Sequence, residues 1–119
     1  GKWGDRSKPR VPVQKDLNFT VLIKIDGIYR AFEPMDISEV GLSLITFDDS
    51  VLPMMIGKSL EFKITGREEL SGVSGTLRLV GIMEDKNVIK LSCEMDLDDA
   101  DTTKVRLYVI KTIEKLFSI

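Results

Sequence analysis

Apolar and polar residues alternate with a period of two along most of the chain, and a helical period takes over only at its end. From Asn18, the residues Phe19, Val21, Ile23 and Ile25 fall on one face with Thr20 and Lys24 on the other, which predicts a half-buried strand. Asp26-Gly27 is a strong hairpin signal, so the chain is expected to return through Ile28 to Glu33. Pro34 is expected to interrupt pairing before the chain runs on as Leu42, Leu44, Ile45 and Phe47. There the slip in alternation between Leu44 and Ile45 predicts a bulge, or a strand end buried on both faces. Asp48-Asp49-Ser50 and Pro53 mark a loop, with Met54, Met55 and Ile56 folding back onto the core.

Leu60, Phe62 and Ile64 alternate with Glu61 and Lys63, and after a polar connection from Gly66 to Gly72 the pattern resumes at Val73, Gly75, Leu77, Leu79 and Ile82. A turn over Glu84 to Asn87 leads into Ile89, Leu91, Cys93 and Met95, with Lys90, Ser92 and Glu94 on the opposite face. Five or six antiparallel strands at this spacing predict an all-β domain, a small closed barrel or a sandwich. The last segment reads as a helix from about 100 to 117, with Val105, Val109, Ile113 and Leu116 at helical spacing. Asp98, Asp99 and Asp101 favour its N-terminus, and Lys111 and Lys115 its C-terminus. The acidic run Asp96 to Asp101 lacks the glycine and the glutamate of a calcium loop, at Asp101 and Leu107, and is read as a helix cap. Leu107, Ile110 and Phe117 widen the apolar side of the helix beyond one stripe, which is read first as a broad core face and second as a surface that seals a barrel mouth and touches a partner.

Ahead of the strands, residues 1–16 read as an irregular arm punctuated by Gly1, Gly4, Pro9 and Pro12. Lys2, Arg6, Lys8, Arg10 and Lys15 face only Asp5 and Asp16 there, so it is the most basic part of the chain. A length of 119 residues with 43% apolar composition predicts one domain with a single core. A net charge of −2 argues against a broad nucleic-acid or membrane footprint and makes any anion site local. With no histidine, the commonest general base and zinc ligand are missing, so neither an enzyme nor a metal site is expected. Cys93 is the single cysteine, which excludes an internal disulfide, suits a reducing cytoplasmic compartment, and reads as a small buried hydrophobe. No apolar run approaches the roughly 18 residues of a membrane span, and the abrupt start reads as a boundary inside a longer protein.

Two short patterns carry the candidate chemistry. Asp36-Ile37-Ser38-Glu39-Val40-Gly41 places a carboxylate, a hydroxyl and a bare backbone in the order D-x-S-x-x-G. In an extended segment Asp36 and Ser38 point the same way, which predicts two polar groups on the outer surface over a buried Ile37 with Gly41 opening space beside them. In the arm, Arg6-Ser7-Lys8-Pro9-Arg10 is R-x-x-x-R, and Pro9 favours an extended segment with guanidiniums up to roughly 13 Å apart, suited to gripping two ends of a multivalent anion.

These two motifs, in this order, with about one hairpin between them and on an all-β pattern, resemble the PilZ domain, a family of bacterial receptors for cyclic di-guanosine monophosphate (c-di-GMP). The resemblance covers nearly all of the chain. It implies a six-stranded antiparallel β-barrel of split-barrel type with a C-terminal α-helix, divided into the arm at 1–16, the barrel at 17–97 and the helix at 98–119. It also implies that Arg6 and Arg10 engage guanine and phosphate, and that Asp36, Ser38 and Gly41 form the barrel half of the pocket. Asp5, Ser7, Lys8 and Glu39 stand as secondary ligand contacts. Asp5 occupies the place before the first arginine where the family's arginine favours a stacked ligand pair, which implies a single ligand here. The resemblance implies a non-catalytic cytoplasmic receptor that passes c-di-GMP occupancy to a partner protein or an adjoining domain, in motility or exopolysaccharide regulation. Its alternative is a PilZ-like interaction module that binds no nucleotide. A barrel holding single-stranded nucleic acid is disfavoured by the acidic charge and few aromatics.

Overall fold

A computed structural model describes residues 8–118. Seven strands follow in order: β1 (Val11–Pro12), β2 (Thr20–Ile25), β3 (Ile28–Ile37), β4 (Gly41–Thr46), β5 (Ser59–Thr65), β6 (Ser74–Asp85) and β7 (Val88–Asp96). A short helix α1 (Leu52–Met55) bridges β4 and β5, and α2 (Asp99–Leu116) closes the chain. All pairings are antiparallel. The six long strands run in the order β3, β2, β5, β6, β7, β4, and β3 pairs again with β4, so the sheet closes into a six-stranded barrel with a C-terminal helix. The two residues of β1 continue along β3 beyond the end of β2, Val11 opposite Ile37 and Pro12 opposite Asp36. The end of the arm is therefore joined to the barrel, with Val11 buried.

The alternation does what its period requires. Val21, Ile23 and Ile25 of β2, Leu42 and Leu44 of β4, and Leu91 and Cys93 of β7 point into one core. The Asp26-Gly27 turn takes both residues through positive φ, 57° and 80°, as a tight hairpin between right-twisted strands demands. Residues Val105, Tyr108, Val109 and Thr112 form the buried face of α2. The Tyr108 ring meets Phe19 edge to face at 5.5 Å, and its hydroxyl donates to the Leu17 carbonyl at 2.7 Å. Asp98 caps α2 by accepting from the Asp101 amide at 2.8 Å, and Asp101 accepts from the Ser74 amide at 3.2 Å.

Three expectations are corrected. Pro34 does not end pairing: β3 runs through it, and the register shift falls between Pro34 and Asp36, where the Val13 amide of the arm donates to the Met35 carbonyl at 2.9 Å. The irregularity expected at Leu44 and Ile45 thus lies across the ladder in β3, while β4 keeps unbroken register with β7. The apparent slip arises because β4 stops at Thr46: Ile45 faces outward and Phe47 is exposed beyond the strand. In the connection to β5, Met55 is buried and Met54 half-buried, but Ile56 is exposed. A second register shift, between Leu79 and Gly81 in β6, turns Val80 out to solvent.

Candidate functional site

The register of β3, β4, β7 and β6 aligns Asp36, Ser43, Ser92 and Gly81 in one row across the barrel wall, because each is the pairing partner of the next. Over this row lies a cleft of about 830 Å³ lined by Lys8, Arg10, Asp36, Ser38, Val40, Gly41, Ser43, Val80, Lys90, Ser92, Cys93, Glu94 and Met95. Its floor is made of small residues, and its charged groups stand around the rim.

Arg10 enters from the arm. Its Nη1 donates to Asp36 Oδ1 at 2.6 Å and to Ser43 Oγ at 3.0 Å, so residues 26 and 33 positions apart are brought onto one guanidinium. Gly41 makes room for this. A Cβ built there would sit 2.5 Å from Arg10 Nη2 and 3.5 Å from the Cys93 carbonyl oxygen. The group that approaches the bare backbone is therefore the chain's own arginine.

Ser38 departs from the surface position expected of it. It is 2% exposed, because its Oγ turns back to accept from the amides of Gly41 at 3.0 Å and Val40 at 3.3 Å, while its own amide donates to the Gly41 carbonyl at 2.8 Å. β3 ends at Ile37, so strict alternation no longer governs Ser38, and a serine hydroxyl satisfies a tight turn's free amides at low cost. Ile37 is fully buried, as expected. Glu39 carries its charge toward the helix: Oε1 accepts from Arg106 Nη2 at 2.8 Å and Nε at 3.0 Å, with Lys8 Nζ at 3.8 Å.

Of the residues picked from sequence, Arg10, Lys8, Asp36, Ser38 and Gly41 line one cleft, and Glu39 adjoins it in the same turn. Asp5, Arg6 and Ser7 lie outside the described residues. Sequence reasoning missed Ser43, Lys90, Ser92 and Glu94 as lining residues. The outward positions of β7 were legible from alternation, but no local signal says that β7 is the neighbour of β4. Cys93 is buried in the wall of the cleft, and burial pushes its thiol up to about 12.

The acidic run after β7 is used in capping α2, as described above, and among the described residues no group of three or more His, Cys, Asp or Glu converges as a metal site. No described helix is long and apolar enough to cross a membrane.

No protein-family model matches the sequence, and no curated protein matches it. Solved structures do match. The chain is similar to MrkH of K. pneumonia in its complex with c-di-GMP, with a TM-score of 0.74 at 17% identity over 94% of this chain and 53% of that one. It is similar to the Bacillus subtilis inhibitor of motility MotI/DgrA, with a TM-score of 0.70 at 18% identity over 92% of this chain and 52% of that one. The PilZ domain of YcgR from Escherichia coli, solved with c-di-GMP, aligns at a TM-score of 0.65 and 12% identity over 92% of both chains. The chain thus spans about half the length of MrkH and MotI/DgrA and nearly all of the YcgR domain. Closed barrel, terminal helix and these superpositions together establish that the chain has the PilZ-domain fold.

Proposed function

We propose that this domain is a non-catalytic receptor for c-di-GMP, binding the dinucleotide in the cleft between the arm and the β3–β4 turn and passing occupancy to a partner protein or an adjoining domain. The observation that carries the reading is the convergence of Arg10 on Asp36, two motifs distant in sequence that share one cleft of about 830 Å³, within the roughly 300–1,000 Å³ typical of small-molecule sites. The chemistry suits the ligand. A guanidinium reads guanine O6 and N7, stacks on the base and pairs with phosphate, whereas a carboxylate accepts from the guanine N1 and N2 hydrogens. Arg6 adds the second guanidinium of the arm, Lys8 and Lys90 supply further positive charge, and Asp36, Ser38 and Gly41 form the barrel side. Asp5 adds negative charge beside Arg6, which favours one ligand over a stacked pair. A cytoplasmic setting follows from the ligand class.

Arg10 is engaged by Asp36 and Ser43, so binding exchanges these bonds for ligand contacts and draws the arm with them. The ligand shifts the arm only by its differential affinity for the two arrangements. Calorimetric titration with c-di-GMP tests the reading. Micromolar or tighter binding is expected, weakened about tenfold or more in Arg6→Ala, Arg10→Ala and Asp36→Ala, as loss of a charged hydrogen bond implies. Absence of binding by the folded protein refutes it and leaves the interaction module.

A further inference from the structure

Glu39 sits in the middle of the motif turn and makes charged contacts with Lys8, which lines the cleft, and with Arg106 of α2, which does not. Its side chain is 10% exposed. The turn that carries it has little slack: Ser38 and Gly41 bond to each other, and the Met95 amide donates to the Val40 carbonyl at 2.9 Å, tying the turn to β7. The Glu39 backbone is therefore a fixed post. Two cations meet on its Oε1. Arg106, in the middle of α2, donates through Nε and Nη2, and Lys8 stands at 3.8 Å, two residues before the Arg10 that reaches Asp36.

On one side of Arg106 in sequence lies the buried Val105, and beyond it Leu107 and Ile110 are exposed, at 60% and 45%, with Phe117 at 80%. The residue that holds α2 to the motif turn thus borders the helix's exposed apolar face.

We infer that Glu39 is a positioning residue coupling the cleft to α2: movement of Lys8 with the arm changes how the Glu39 carboxylate holds Arg106, and through it the middle of the helix. The physical step is a change of donor set. With Lys8 present, both Arg106 donors share Oε1 with an ammonium. With Lys8 withdrawn, the carboxylate no longer answers to two cations and can turn to the guanidinium alone, up to the bidentate arrangement. This gives the element two discrete states, and the coupling is reciprocal: whatever binds the exposed face of α2 also biases the arm. The link rests on the c-di-GMP reading for its trigger, whereas its parts are the contacts of Glu39 with Lys8 and Arg106.

Hydrogen exchange of the whole chain, with and without saturating c-di-GMP, tests it. In wild type, exchange is expected to change at residues 8–12 and also at 104–110, by about twofold or more in each. In Arg106→Gln, a residue outside the cleft, the response at 8–12 should persist and that at 104–110 should vanish, with partial recovery in Arg106→Lys. A saturated wild type that responds in the arm but not in α2, or an Arg106→Gln protein whose α2 still responds, overturns the link. If calorimetry shows that wild type does not bind c-di-GMP, the receptor reading fails by itself. The link is then decided without ligand: Lys8→Ala should alter exchange at 104–110 by about twofold, and unchanged exchange rejects it.

Discussion

The Cβ that Gly41 lacks would stand 2.5 Å from Nη2 of Arg10, so the glycine of the motif is a seat for the arginine of the arm. Its φ is not in the left-handed region, and the requirement is for space alone. Because the displaced group is the end of a flexible side chain, Gly41→Ala should cost less than about 1 kcal/mol of stability, as for substitutions that break no buried contact. It should nevertheless push Arg10 off Asp36 and Ser43. Chemical denaturation and c-di-GMP titration are expected to dissociate: an almost unchanged midpoint beside binding weakened about tenfold or more.

Asp36 and Arg10 form a short ion pair, but the arginine side chain is about half exposed and the pair lies at the surface. Such pairs contribute about 0–1 kcal/mol. Asp36→Asn should therefore leave the unfolding midpoint nearly where it was. In the receptor reading it removes the acceptor for guanine N1 and N2 hydrogens, and affinity is expected to fall about tenfold. Equal losses of stability and binding would instead make Asp36 a structural residue.

Tyr108 places the opposite demand on the molecule. Its hydroxyl is buried against the Leu17 carbonyl at 2.7 Å, and neither residue lines the cleft. Tyr108→Phe leaves that carbonyl without its donor and should destabilise by about 1–3 kcal/mol, and Asp98→Ala should cost about 1 kcal/mol through loss of the α2 cap. Urea unfolding measures both, and c-di-GMP affinity of the folded variants should match wild type.

Cys93 makes stability depend on alkaline pH. Burial pushes its thiol from an ordinary 9.0 to about 12 in the folded protein. Well below pH 9 the thiol is protonated in both states and contributes nothing. Above it the unfolded chain releases a proton that the folded chain keeps, so stability falls with rising pH until the folded thiol titrates. The slope approaches about 1.4 kcal/mol per pH unit. Unfolding measured between pH 8 and 11 in wild type and Cys93→Ala should diverge in slope, with the steeper fall in wild type. Iodoacetamide should label the native thiol far more slowly than the unfolded one.

Period and turn chemistry, both local properties of the chain, determined five or six antiparallel strands, the Asp26-Gly27 hairpin, the terminal helix and its acidic cap, and placed Asp36 beside a buried Ile37, while the count of six came with the family resemblance. Local pattern could also name the outward residues of β7. It could not say which strand lies beside which, and so Ser43 and Ser92 passed unnoticed as the floor of the cleft until barrel closure set them in register with Asp36. Tertiary structure alone decided three further points. The irregularity belongs to β3 near Met35, where the arm's backbone pairs, and not to β4. Ser38 turns inward because the strand has already ended and two amides need an acceptor. Glu39 serves Arg106 and Lys8 because closure brings α2 and the arm to the same oxygen. Side-chain alternation is a property of one segment, whereas the partner of a charged or hydroxyl group is set by segments far away in sequence, and only the folded chain brings those together.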